Sequence, residues 1–304
     1  MNRITESYDY ANAFKNYIRL NQAPETMNNL SEGSYTSDFY QFPDDVRKDF
    51  RKALAEHNLF RAYGQVYTVI SDGVIHTVSS MAEARLTNEN EAYPKENDSF
   101  LRQNYGAFKL ARLSKLPINF VKDAHFDLER YLQTDFARSF GKAEERILMN
   151  GEGGKEPKGL LATAEVGIRH SEATGNLADD LIALFFSLDE QYRDNAVWLM
   201  NDKTALRLRQ LVDNSGRYLL DKSPTTILDK PVLISNTMPD LEQGNKAIAF
   251  GNLSYFWIVE RAPLSVQVLR EKFIVDGHIG FAAQERLDGK LIKPDAVKTL
   301  EVTV

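Results

Sequence analysis

Apolar spacing changes several times along the chain, and each change marks an element. Tyr10, Phe14, Tyr17 and Ile18 fall three and four residues apart, the spacing of one face of a short amphipathic helix. Asn21 to Tyr40 keeps neither a helical nor a strand period, although Tyr35, Phe39, Tyr40 and Phe42 stand in or beside it. Two readings stay open there: a loose tail, or an arm that gains order by lying on a neighbouring molecule. Pro43 to Asn58 predicts a charged helix, with Asp44 and Asp45 in the first turn, where the helix dipole favours acids. Val66–Ile70 and Val74–Val78 are β-rich, and Asp72-Gly73 between them predicts a hairpin.

From Glu83 to Gln103 the chain turns polar, over a length too great for an ordinary connection. Strand-like residues flank it, so we read a long, two-stranded, mostly solvated loop. Such a ribbon is marginal in water unless a partner lies under it. Asp123 to Met149 carries the clearest helical stripe: Leu128, Tyr131, Leu132, Phe136, Phe140, Ala143 and Ile147. At 1.5 Å per residue it spans roughly 35 Å. Asn150-Gly151 is read as its stop, through a left-handed cap. Further on, helices are predicted at Leu177–Leu188 and Thr204–Val212. Strands are predicted at Val197–Met200, Pro231–Ser235, Ala247–Phe250, Tyr255–Val259, Val266–Leu269, Phe273–Val275, Gly280–Ala283 and Val297–Val304. Helices and strands interleave irregularly, which makes the fold class α+β.

Composition narrows the function. The 304 residues are 43% hydrophobic and 26% charged, ordinary for a globular protein, and the net charge of -6 argues against a freely exposed duplex-binding protein. Without cysteine there is no disulfide, thiolate metal site or thiol nucleophile. No signal peptide and no membrane span are predicted, and no cofactor. The Gly-rich loop Gly151–Gly159 fails the P-loop pattern, because Glu156 follows Lys155 where Ser or Thr is needed. The histidines His57, His76, His125, His170 and His278 are too scattered for a helical metal pair, so no metal site is predicted. Glu144 and Glu145 are adjacent and point to different helix faces, which we read as a solvated helix end. No catalytic constellation is found, and the chain is read as a non-enzyme.

Several segments, taken in order, resemble the tailed-bacteriophage major capsid proteins of the Hong Kong 97 fold. Met149-Asn150-Gly151-Glu152-Gly153 with Pro157-Lys158-Gly159-Leu160-Leu161 resembles the loop after that family's long helix. Trp198-Leu199-Met200-Asn201 and the run from Leu211 through Asp213, Gly216, Arg217 and Tyr218 to Leu219 resemble a strand–helix–turn segment, with Val212 where Lys is common. Pro231-Val232, Met238-Pro239, Phe250-Gly251 and Glu285-Arg286-Leu287-Asp288-Gly289 follow in the family's order. The resemblance implies an N-terminal helix and arm at 1–62, P-domain strands at 63–80 and an extended E-loop at 81–114. It further implies the rest of the P domain with its spine helix at 115–160, an axial A domain at 161–255 and a return to the P domain at 256–304. The arm would reach over neighbours, so removing residues 1–42 would leave the core folded.

By the same resemblance the chain assembles with itself, as pentamers and hexamers of a shell built in the bacterial host's cytoplasm. A scaffolding protein, a portal and a maturation protease would be further partners, and packaged DNA would be touched only non-specifically. Scaffolding would be either a separate protein or a segment missing from a shortened chain, with Met1 favouring a genuine start. Asn150, Gly151, Gly153, Pro157, Gly159, Asp213, Gly216, Arg217, Tyr218, Glu285 and Arg286 are the implied structural positions. Arg85, Lys95 and Arg102 are the implied E-loop positions facing a neighbouring copy. Cross-linking members join an E-loop Lys to an Asn with help from a Glu. Here those positions hold Arg102, Gly277 and Gln284, so a shell without covalent links is expected. An encapsulin-type nanocompartment shell and an unrelated α/β enzyme are the competing readings.

Overall fold

The computed structural model describes residues 8–20, 40–80, 99–123, 125–171, 176–211 and 226–303. Its helices, in chain order, are α1 (Tyr8–Leu20), α2 (Asp44–Glu56), α3 (Leu59–Tyr63), α4 (Ile118–Lys122), α5 (Leu128–Asn150), α6 (Leu160–Thr163), α7 (Leu177–Ser187), α8 (Glu190–Arg193) and α9 (Asp202–Arg209). The strands are β1 (Tyr40–Gln41), β2 (Gln65–Thr68), β3 (Gly73–Ser80), β4 (Ser99–Tyr105), β5 (Phe108–Pro117), β6 (Glu165–Ser171) and β7 (Val197–Met200). After them come β8 (Thr226–Ile227), β9 (Lys230–Ile234), β10 (Lys246–Gly251), β11 (Phe256–Leu269), β12 (His278–Leu291) and β13 (Val297–Thr303).

Two sheets organise the chain. The first runs β1-β11-β12-β5, with β2 parallel to the other half of β11. The second runs β6-β13-β10-β7-β9-β8 and mixes parallel with antiparallel pairs. The predicted strands at Tyr255–Val259 and Val266–Leu269 are one 14-residue strand, β11, bent by register shifts near Pro263. Residues 256–304 divide between the sheets: β11 and β12 lie in the first, and β13 lies between β6 and β10 in the second.

Three expectations fail for local reasons. The Asp72-Gly73 hairpin does not form: β2 pairs with β11 and β3 with β4, so the two runs part company. Each strand has a longer partner than the other run could offer. Phe273–Val275 is no strand; Glu271–Phe273 is a 3-10 turn capping the β11–β12 hairpin. The long helix begins at Leu128, not Asp123, because Asp127 is its cap and accepts from Arg130 N at 3.2 Å. Asp123 instead holds a turn, its Oδ1 accepting from His125 N at 2.9 Å.

Three apolar cores result. In the first, Leu128, Leu132, Phe136 and Phe140 of α5 pack with Phe14 and Ile18 of α1 and Val266 and Phe281 of the first sheet. The second gathers Leu181, Leu184, Trp198, Phe250 and Leu300 around α7 and the second sheet. The third joins the sheets: Leu148, Met149, Leu160 and Leu161 meet Leu199 and Ala249 on one side and Phe256 and Leu287 on the other.

The N-terminal segment departs from the arm reading where it is described. Tyr10, Phe14, Tyr17 and Ile18 are buried in their own chain, as are Tyr40 and Phe42. The Tyr10 hydroxyl donates to Gln41 O at 2.7 Å, and the Tyr17 hydroxyl accepts from Val268 N at 3.1 Å. Removing residues 1–42 would therefore strip the first core, contrary to the expectation that the core stays folded. Residues 21–39, with Tyr35 and Phe39, lie outside the described residues. Among the described residues no helix is long and apolar enough to cross a membrane.

Candidate functional site

The C-terminal half of α5 holds the chain's most demanding chemistry. Burial there extends past the apolar stripe to Glu144 and Glu145, which are 0% and 9% exposed, so the solvated-end reading is overturned. Their side chains do leave on different faces, but both faces are covered. Glu144 meets Arg61 of α3 in a two-pronged pair: Nε donates to Oε2 at 2.7 Å and Nη2 to Oε1 at 2.6 Å. Asn58 caps α3 through Phe60 N at 2.9 Å and with its amide donates to Glu144 Oε2 at 2.6 Å. Arg61 also donates to Glu260 Oε1 of β11 at 3.3 Å, and Glu285 Oε2 of β12 lies 3.9 Å from it. Half-exposed Arg51 of α2 closes the cluster on Glu260 at 3.0 Å.

Removing such charges from water costs several kcal/mol per ion unless partners repay it. Burial works against the Arg61 charge, but the carboxylates of Glu144 and Glu260 outweigh it and hold the guanidinium charged. Glu285 goes the other way. Burial first, then the negative charge of Glu144, raise its carboxyl well above the usual range against the pull of Arg61. With Glu285 neutral, two arginines face two carboxylates and the cluster balances. Its Oε1 is buried without a hydrogen-bond partner. Arg61, Glu144, Glu260 and Glu285 are buried and a guanidinium stands among the carboxylates, so the cluster's chemistry is structural: it locks α2, α3, α5, β11 and β12 in one register.

Glu145 ties the opposite face to the segment after β9. It accepts from Leu59 N at 3.1 Å, from the Ser235 hydroxyl and from Thr237 Oγ1 at 3.3 Å. One turn on, Asn150 donates to Thr237 O at 2.7 Å. Gly151 is not left-handed, with φ -58 and ψ 135. Glycine is needed there for close approach: a Cβ would run into Pro157 O and Ile147 O. The Gly159 backbone donates to Gly151 O at 2.8 Å and closes the loop, while Gly153 and Gly154 take the positive φ values of 90° and 82°. Glu156 Oε1 accepts from Glu152 N at 3.1 Å, taking a backbone donor that a phosphate would need.

Three residues of the Glu285–Gly289 segment have distinct jobs. Glu285 enters the cluster, Leu287 the third core, and Asp288 holds the base of the β3–β4 ribbon by accepting from Gly106 N at 2.9 Å. Gln103 adds a bond to Ile292 O at 3.2 Å. Arg286 is half-buried. Arg102 is exposed on β4 opposite His76, and Gly277 sits with φ 66 in the β11–β12 turn. Arg85, Lys95, Asp213, Gly216, Arg217 and Tyr218 lie outside the described residues. Sequence reasoning missed Arg61, Glu144 and Glu260. A charged residue inside an otherwise apolar stripe was the signal that could have found them, and Glu144 carried it.

Comparison with known proteins follows this architecture. The phage capsid family model matches residues 39–302. The chain is similar to the capsid of an empty GTA particle computed with C5 symmetry, at 25% identity and TM-score 0.71, covering 82% of this chain and 90% of that one. For the capsid of the native GTA particle the values are 23% and 0.68, with 93% and 98% covered. A chain of Gordonia phage Cozz shares the fold at 11% identity and TM-score 0.61, with 81% and 87% covered. No curated protein matches. The family match spans both sheets, the long helix and the buried cluster, and the chain accordingly belongs to the phage capsid family, as a structural capsid protein and not an enzyme.

Proposed function

We propose that the chain is the major shell protein of a tailed-phage or GTA-type particle, held without covalent cross-links. The likeness to a GTA capsid over 82% of the chain carries the reading. In this reading the β3–β4 ribbon with the segment between its strands is the E-loop, and α5 is the spine of the P domain. The second sheet with α7 and α9 is the axial A domain. Asn150, Gly151, Pro157 and Gly159 hold the turn from spine to A domain, and Glu285 and Arg286 the β12 register. Arg85, Lys95 and Arg102 meet a neighbour, and Asp213, Gly216, Arg217 and Tyr218 serve as structural and assembly positions. Copies would contact head to tail around closed five- and six-membered rings. Arg102 supports the non-covalent part, since guanidinium is too basic to act as a nucleophile near neutral pH.

Electron microscopy of purified protein, with light scattering after size exclusion, tests the shell. Closed particles tens of nanometres across support it. A monomer at every concentration, with and without co-expressed scaffolding, counts against it. Boiling particles in detergent should release single chains, and a ladder of covalent multimers would refute the non-covalent claim.

A further inference from the structure

The buried cluster holds one carboxyl more than its cations need. Glu144 comes from α5, Glu260 from β11 and Glu285 from β12, against Arg61 of α3 and Arg51 of α2. Neighbouring charges on these elements turn elsewhere. Glu145 leaves α5 on the opposite face toward Ser235, where His57 of the α2 end also lies. Asp288 turns to Gly106 N, Arg286 alternates to the other face of β12, and β5 sets Leu110 opposite Glu285. Three carboxyls against two guanidiniums would leave one negative charge too many, in a site where Glu144 is 0% and Glu285 2% exposed. A buried carboxylate without its own cation is costly, and binding a proton removes the cost.

Both carboxyls turn to one nitrogen. Arg61 Nη2 lies 2.6 Å from Glu144 Oε1 and 3.9 Å from Glu285 Oε2. The two side chains are within hydrogen-bonding reach of each other, and no N–H or hydroxyl donor reaches Glu285 Oε1. We propose that Glu144 and Glu285 hold a single proton between them, and that this proton is the catch of a pH-operated lock on α3. With the proton in place the pair is one acid and one carboxylate, and Arg61 joins α3 to α5, β11 and β12. Loss of the proton sets two like charges beside one guanidinium. The element that yields is α3, which is five residues long and reaches the cluster through Arg61. A cavity of about 230 Å³, lined by Arg51, Arg61, Val66 and Thr68, gives water a route to that guanidinium. The lock is closed at low pH and opens as pH rises through the titration of the pair. The inference concerns the single chain and is independent of the shell reading.

The experiment is infrared spectroscopy of the full chain at neutral pH, comparing wild type with E285Q and E144Q. Wild type should show the carbonyl band of a protonated carboxylic acid, moved by 13C-glutamate labelling, and E285Q should lack it. In E144Q, Glu285 becomes the carboxylate of Arg61, so the band should vanish there too. A band that survives in E144Q would assign the proton to burial alone and overturn the sharing, and so would its absence from wild type. Amide hydrogen exchange reads the lock. Corrected for intrinsic rates, protection of residues 59–63 should fall about tenfold or more between about pH 7 and pH 9 in wild type and stay level in E285Q. Equal falls in the two chains, or no fall in wild type, overturns the lock. This comparison needs only wild type and E285Q, so it decides the lock even where E144Q does not fold, and thermal melting at low pH checks folding of each chain.

Discussion

Glu285 shows how one carboxyl can be at once necessary and costly. It completes the packing between β12 and α3, yet its ionised form would add a third negative charge to a guanidinium already held by two. Its folded-state pKa is raised, so between the ordinary glutamate value, about 4.3, and that raised value the folded chain binds one more proton than the unfolded chain. Stability from the neutral carboxyl is therefore fully present below about pH 4.3 and is lost as pH rises through the folded-state value, by up to about 1.4 kcal/mol per pH unit. Glu285→Gln keeps the shape and stays neutral. Its melting temperature should decline less than that of wild type from pH 5 to 8, and parallel curves would contradict the assignment. Arg61→Ala has the opposite consequence. It leaves Glu144 and Glu260 buried without their cation and should destabilise by about 3–5 kcal/mol in denaturant titration.

The long helix α5 carries two different surfaces in succession. Its first half buries Leu128, Leu132, Phe136 and Phe140, and its second half buries Gly141, Glu144, Glu145, Leu148 and Met149. Gly141 lets the His57 region approach, since a Cβ there would stand 2.9 Å from His57 Cβ. The helix then stops because the chain must double back under it, with Gly151 and Gly159 in backbone contact. A Cβ on Gly159 would meet Gly151 N and Met149 O at 2.6 Å. Gly151→Ala should cost about 1–3 kcal/mol by overpacking, although its φ and ψ suit alanine. Chemical denaturation measures this. A neutral result would mean that the loop relaxes freely and does not fix the exit from the helix.

Across the molecule, the third core joins the two sheets, and the charged cluster lies on the same helix end. The N-terminal helix belongs to this rigid body: Arg19 Nη2 donates to Phe126 O at 2.6 Å, and Arg270 Nη2 to Arg19 O at 2.6 Å. Deleting residues 1–42 removes Tyr10, Phe14, Tyr17, Ile18, Tyr40 and Phe42 from the first core. It should lower the melting temperature sharply or abolish a cooperative transition, where loss of a free arm would leave melting unchanged.

Elements with an apolar period of their own were legible in the chain. The α1 stripe, the α5 stripe and the β-rich runs follow from spacing alone, because a helix or strand face must be apolar wherever it meets a core. The order of motifs around Asn150–Gly159 and Glu285–Gly289 likewise sufficed to place the family. Pairing was another matter. Local turn chemistry at Asp72-Gly73 cannot report that β11 offers β2 a longer edge, or that β4 waits beyond a long polar segment for β3. Burial of Glu144, Glu145, Glu260 and Glu285 was equally hidden. A charge is cheap inside only beside its partner, and Arg61 stands 83 residues before Glu144 and 199 before Glu260. Such distances along the chain are closed only by the tertiary fold, which alone decides whether a glutamate faces water or a guanidinium.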